Sequence, residues 1–125
     1  MAFRPRPVSG RSLSGPFRGF DLDEEFARLR EEKEWQEGRR NAIILRKGGG
    51  LSVVLLAMKA GDRLEEHSAP GPISLSVREG RIRFTAEGEA VEVGPETVLT
   101  CDAKVSHTVE ALSDAVCLLN VASGG

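Results

Sequence analysis

From Asn41 onward the apolar positions fall into short runs separated by turn residues. The runs span 42–45, 51–58, 73–77, 82–85, 90–93, 97–101, 106–109 and 115–121, and each is rich in Val, Ile or Leu. Gly48-Gly49-Gly50, Ala60-Gly61-Asp62, Pro70-Gly71-Pro72, Glu79-Gly80, Glu87-Gly88-Glu89 and Gly94-Pro95 stand between them. Short strands at this spacing, punctuated by Gly and Pro, predict an all-β sandwich or barrel. No useful helical period survives beyond residue 38.

Alternation also predicts which way side chains point, because successive residues of a strand face opposite sides of the sheet. Ile73, Leu75 and Val77 share an inward face, with Ser74, Ser76 and Arg78 outside. Ile82 and Phe84 point inward, with Arg81, Arg83 and Thr85 outward. The run 51–56 differs, being apolar on both faces except at Ser52. It therefore needs a second covering layer, which an N-terminal helix, an opposing sheet or another subunit can supply. Left bare, so apolar a strand would aggregate, and a two-fold homodimer is expected.

Upstream, residues 21 to about 36 carry a helical pattern. Leu22, Phe26 and Leu29 form a narrow apolar stripe, Asp21 is placed to cap it, and Glu24 follows in capping-box position. Gly38 offers a stop. Eight acidic residues against three basic ones in 21–37 leave the rest of the surface to water. Residues 1–19 hold Arg4, Arg6, Arg11 and Arg18, no acid, and many Pro, Gly and Ser. A flexible basic tail (1–19), a helix (20–38) and a β domain (39–123) are expected.

Composition narrows the classes. The 125 residues fit one domain, and 40% hydrophobic content suffices for a core without disulfides. A net charge of −2 with 5% aromatics argues against nucleic-acid binding. No apolar run reaches the length of a membrane span, and the first residues lack the apolar stretch of a secretory leader. A cytoplasmic location, with no membrane or nucleic-acid partner, is expected. Gly48-Gly49-Gly50 lacks the Lys-Ser or Lys-Thr of a phosphate loop. Ser106 and His107 are adjacent on one strand and face opposite ways, so they form no catalytic dyad.

The segment from Gly61 to Gly80 carries a more specific signal. Gly61 is followed by five residues and His67, and an Arg-Glu-Gly turn closes the segment at 78–80. A looser second match runs from Glu96 to His107, followed by Asp114 and an apolar strand. Together these resemble the two motifs of the cupin superfamily over roughly residues 41–121. The resemblance implies a cupin-type (jelly-roll) β-barrel with an N-terminal helix. It is similar in detail to small bacterial cupins with a degenerate metal-binding motif.

Enzymatic cupins commonly hold one divalent metal on three His and one carboxylate or amide. Here the second histidine slot is Ala69, and the carboxylate slot falls on Ile73, or on Ser74 if the alignment slips by one, with the inward alternation favouring Ile73; His67 and His107 remain. Glu65, by strand parity with His67, and then Cys101 are the candidates to complete a metal set; Cys117 sits on the last apolar strand. Two imidazoles alone make a poor site. No cofactor is expected, or at most a single divalent metal ion. The pair can instead be structural, bonded to backbone or to each other, or can line a small-ligand pocket with Ile73. In that pocket Arg63 or Lys104 stands at the mouth to hold a carboxylate. Ala69-Pro70-Gly71-Pro72 is a rigid turn beside it. A non-enzymatic small-ligand-binding or structural cupin is thus favoured. The alternative is a metal-dependent oxygenase or isomerase acting on a small polar substrate.

Overall fold

The computed structural model describes residues 6–7 and 15–123. Of the expected basic tail, residues 1–5 and 8–14 lie outside the described residues. Arg6–Pro7 (β1) forms a two-residue strand parallel to Arg40–Arg46 (β2).

The predicted helix is present but divided. Leu22–Glu31 (α1) is capped by Asp21, whose side chain accepts from the Glu24 amide at 3.2 Å. Glu32 is extended, and a short turn of helix follows at Lys33–Gln36 (α2). The break is stabilised from the sheet: buried Asn41 donates to the Leu29 carbonyl at 3.1 Å and to the Glu32 carboxylate at 2.9 Å. Carbonyls released at a helix end need such partners.

Eight further strands follow β2: Leu51–Met58 (β3), Arg63–His67 (β4), Ile73–Glu79 (β5), Ile82–Ala86 (β6), Glu89–Val93 (β7), Val98–Cys101 (β8), His107–Ala111 (β9) and Ala115–Ala122 (β10). Only β4 was missing from the apolar runs, because its sequence Arg-Leu-Glu-Glu-His holds a single aliphatic residue. The strands form two sheets, in the orders β1-β2-β3-β10-β5-β8 and β4-β9-β6-β7. Among the described residues no strand pairing joins one sheet to the other.

The core lies between the sheets. Val54, Leu56, Met58, Leu75, Val77 and Cys117 of the larger sheet pack on Leu64, Ile82, Phe84, Val93, Val109 and Ala111 of the smaller. Ile73, Leu75, Val77, Ile82 and Phe84 are all buried, on the face that alternation assigned them. The alternate residues of β3 serve a second core. Leu55 and Ala57, with Ile43, Leu45 and Val116, pack against Phe26 and Leu29 of α1. The helix thus supplies the second layer that β3 requires, so this strand gives no reason to invoke a partner subunit. Among the described residues no helix is long and apolar enough to cross a membrane.

Candidate functional site

The register fixes where the two histidines meet. His67 ends β4 and His107 begins β9, and they are paired directly across the ladder. Between Leu64↔Val109 and His67↔His107 the register shifts, because β4 spends two intervening residues where β9 spends one. Such a bulge reverses parity along the strand. Leu64 and His67 therefore both reach the same cavity although they are three apart.

This bulge corrects the expectation for Glu65. It does not share the face of His67; its side chain is exposed, and its contribution is its backbone carbonyl. Glu66 is also outside, accepting from the Ser106 hydroxyl at 2.6 Å.

Each imidazole is held by the carbonyl two residues before it. Nδ1 of His67 lies 2.8 Å from the Glu65 oxygen, and Nδ1 of His107 lies 3.0 Å from the Val105 oxygen. A carbonyl can only accept, so Nδ1 donates in both rings, and in the neutral form Nε2 carries the lone pair. The ring centroids are 4.3 Å apart at an interplanar angle of 65°. Phe84 stacks on His107 at 4.7 Å. His107 is only 5% exposed. Burial, and secondarily the neighbouring His67, hold its pKa below the ordinary imidazole value, against the opposing effect of the Val105 carbonyl.

The rings open into a cavity of about 310 Å³ between the two sheets. Its inner wall is aliphatic and aromatic, formed by Leu56, Leu64, Leu75, Ile82, Phe84 and Val109. Polar groups gather at the other end. There the larger sheet contributes the row Ser52–Val121–Ile73, and the smaller the row His67–His107. The 69–72 turn borders this end and is fastened twice. The Lys104 amide donates to the Ala69 carbonyl at 2.9 Å, and the Ala122 amide to the Pro72 carbonyl at 3.0 Å. A Cβ on Gly71 would collide with the Ala122 carbonyl, so the turn needs glycine there.

Ile73 lines this cavity, but the two expected cations do not. Arg63 stands opposite Glu110 in the β4–β9 ladder, at the far end of its strand from His67, and is exposed. Lys104 is exposed in the β8–β9 connection, in a left-handed conformation at φ 67°, and only its backbone touches the cavity's turn. The cation that borders the cavity is instead Lys47, an exposed residue between β2 and β3. Ser52 had a legible signal, since it is the one polar residue on an otherwise apolar run. Lys47 had none, because a loop gives no parity to read.

Nor does the structure supply a metal set. Cys101 borders a second hollow with Glu87, Thr100 and Asp102 and is absent from the histidine cavity. Burial, then the Asp102 and Glu87 carboxylates, raise its pKa and disfavour the thiolate a metal needs. Cys117 does face the histidine cavity, yet burial pushes its thiol up to about 12. Among the described residues no group of three or more His, Cys, Asp or Glu side chains is placed to hold a metal ion. Two imidazoles walled by hydrocarbon do not fit the mononuclear centre of enzymatic cupins.

No protein-family model matches the sequence, and no curated protein matches it either. Solved structures do match. A conserved protein of unknown function from Streptococcus pyogenes superposes with a TM-score of 0.70 at 19% identity, over 93% of this chain and 96% of its own. An RmlC-like cupin protein from Desulfovibrio desulfuricans gives 0.61 at 25% identity, over 67% and 82%. A variant of salicylate 1,2-dioxygenase from Pseudoaminobacter salicylatoxidans gives 0.76 at 17% identity, with 94% of this chain lying on 38% of the larger protein. Several other matches are single-domain proteins of the same superfamily.

Proposed function

We propose that this chain, which has the architecture of single-domain cupin-superfamily proteins, is a non-enzymatic binding protein for one small organic molecule. In this reading the two sheets close as a jelly-roll barrel around the ligand, and the protein acts in the cytoplasm. One observation carries it: a cavity of about 310 Å³ with an apolar inner wall and its polar side chains gathered at one end. That volume is at the lower end of the range for small-molecule sites. Water in such a space finds few partners, so an apolar body that displaces it gains the hydrophobic free energy of burial.

The oxygenase or isomerase alternative requires a third metal donor beside His67 and His107. Ala69 and Ile73 occupy the slots where enzymatic relatives would carry one, so no reaction step is derived through a metal. The test is a titration with ethylbenzene, followed by thermal denaturation and by methyl resonances. We expect a saturable rise in Tm, by several degrees at about 100-fold excess over Kd. Shifts should be confined to methyls such as those of Leu56, Leu75 and Val109. Absence of any saturable response to ethylbenzene and to its 4-hydroxy and 4-carboxylate analogues overturns the reading. So does tight, selective uptake of one equivalent of a single metal that is lost in His67→Ala.

A further inference from the structure

We propose that the ligand's polar group is an uncharged hydrogen-bond donor, a hydroxyl or N–H, received at an Nε2 acceptor of the His67–His107 pair. This inference rests on the binding-protein reading above and specifies which chemistry the cavity selects.

Both Nδ1 atoms are committed to backbone carbonyls, and neither ring has another hydrogen-bond partner among the described residues. The free nitrogen of each neutral ring is therefore an acceptor, and the ligand is the group that can satisfy it. The ring centroids lie 4.3 Å apart, so protonating both would place two cations side by side. No carboxylate lines the cavity to stabilise an imidazolium, and the one charged residue on its wall among those described is Lys47. Burial further favours the neutral form of His107.

An anionic ligand would have only the exposed Lys47 as a counter-charge, and would meet two lone pairs beside it and hydrocarbon at the other end. A hydroxyl would meet acceptors, while its apolar body filled the space against Leu64, Phe84 and Val109. The stacked Phe84–His107 pair offers a flat wall that suits an aromatic ring. The volume equals roughly ten waters at about 30 Å³ each, which sets the size of a small substituted phenol.

The probes are 4-ethylphenol, ethylbenzene and 4-ethylbenzoate, titrated at pH 7.5 against the full chain and against His107→Phe. Phenylalanine keeps a ring against Phe84 and removes the acceptor. In the unsubstituted protein, ¹⁵N resonances of the histidine Nε2 atoms should move on adding 4-ethylphenol and stay in place with ethylbenzene. In His107→Phe, affinity for 4-ethylphenol should fall about tenfold relative to that for ethylbenzene. An unchanged ratio together with unmoved Nε2 resonances overturns the inference while leaving the binding reading intact. Preference for 4-ethylbenzoate, with the Nε2 signals moving to the protonated form, also overturns it, in favour of cationic recognition involving Lys47. If none of the three probes binds, the binding reading itself fails. The NMR arm uses the native sequence, so the test stands even if the variant does not fold.

Discussion

His107 combines three constraints that rarely meet in one side chain. It is buried, its Nδ1 is tied to its own strand, and its ring is packed between Phe84 and His67. Its native pKa is depressed, chiefly by burial, so below about pH 6.5 the unfolded chain takes up a proton that the native state resists. The sign follows: the contribution is fully present above about pH 6.5 and is lost as pH falls towards and through the lowered native value. Thermal unfolding measured from pH 7.5 down to 5 should therefore show a steeper loss for the unsubstituted protein than for His107→Phe. Equal slopes would mean that the ring titrates as it does in solvent. Ionisable groups away from this site contribute to both proteins alike, so the comparison reports on His107 together with its contact to His67.

At the scale of elements, α1 covers one face of β2, β3 and β10 in the larger sheet. Leu29 is fully buried against Ile43, Leu45 and Leu55, and Asn41 holds the helix end from β2. Salt bridges Arg78–Asp23 at 2.7 Å and Arg30–Glu79 at 3.3 Å fasten the helix to the end of β5. These pairs are solvent-exposed and contribute little, so the apolar stripe holds the helix. Leu29→Ala should cost about 2–5 kcal/mol, seen as a lowered urea midpoint with an unchanged m-value. A cost near zero would mean that the helix is only loosely docked. The β4 bulge is the other decisive element. It turns a strand that alternates on paper into one that places Leu64 and His67 on the same side.

For the whole molecule, the arrangement is three layers: helix, larger sheet, smaller sheet. The two cores lie on opposite faces of the same larger sheet, which explains why β3 is apolar on both sides. Removing residues 1–38 would uncover Leu45, Leu55, Ala57 and Val116 together. Light scattering on that truncated protein should report self-association or aggregation, whereas the full chain keeps this face covered. A truncated protein that stays monodisperse at the size of the full chain's own species would show that the helix is dispensable as a cover.

Strands β5 and β6 were legible because Ile73, Leu75, Val77, Ile82 and Phe84 follow the period of two. The helix start was legible because Asp21 and the Leu22–Phe26–Leu29 stripe carry local capping and burial chemistry. That Ala69 and Ile73 offer no metal donor was also readable, from residue type alone. Local pattern determined this much. What it could not determine depended on register between strands far apart in sequence. The bulge between Leu64 and His67 exists only relative to β9, so the outward turn of Glu65 could not be seen from β4 alone. Arg63, Lys104 and Lys47 were indistinguishable as surface cations until sheet pairing put one of them on the cavity wall. The choice of Nε2 as the free nitrogen was likewise tertiary, because it follows from where two backbone carbonyls stand in the folded strands.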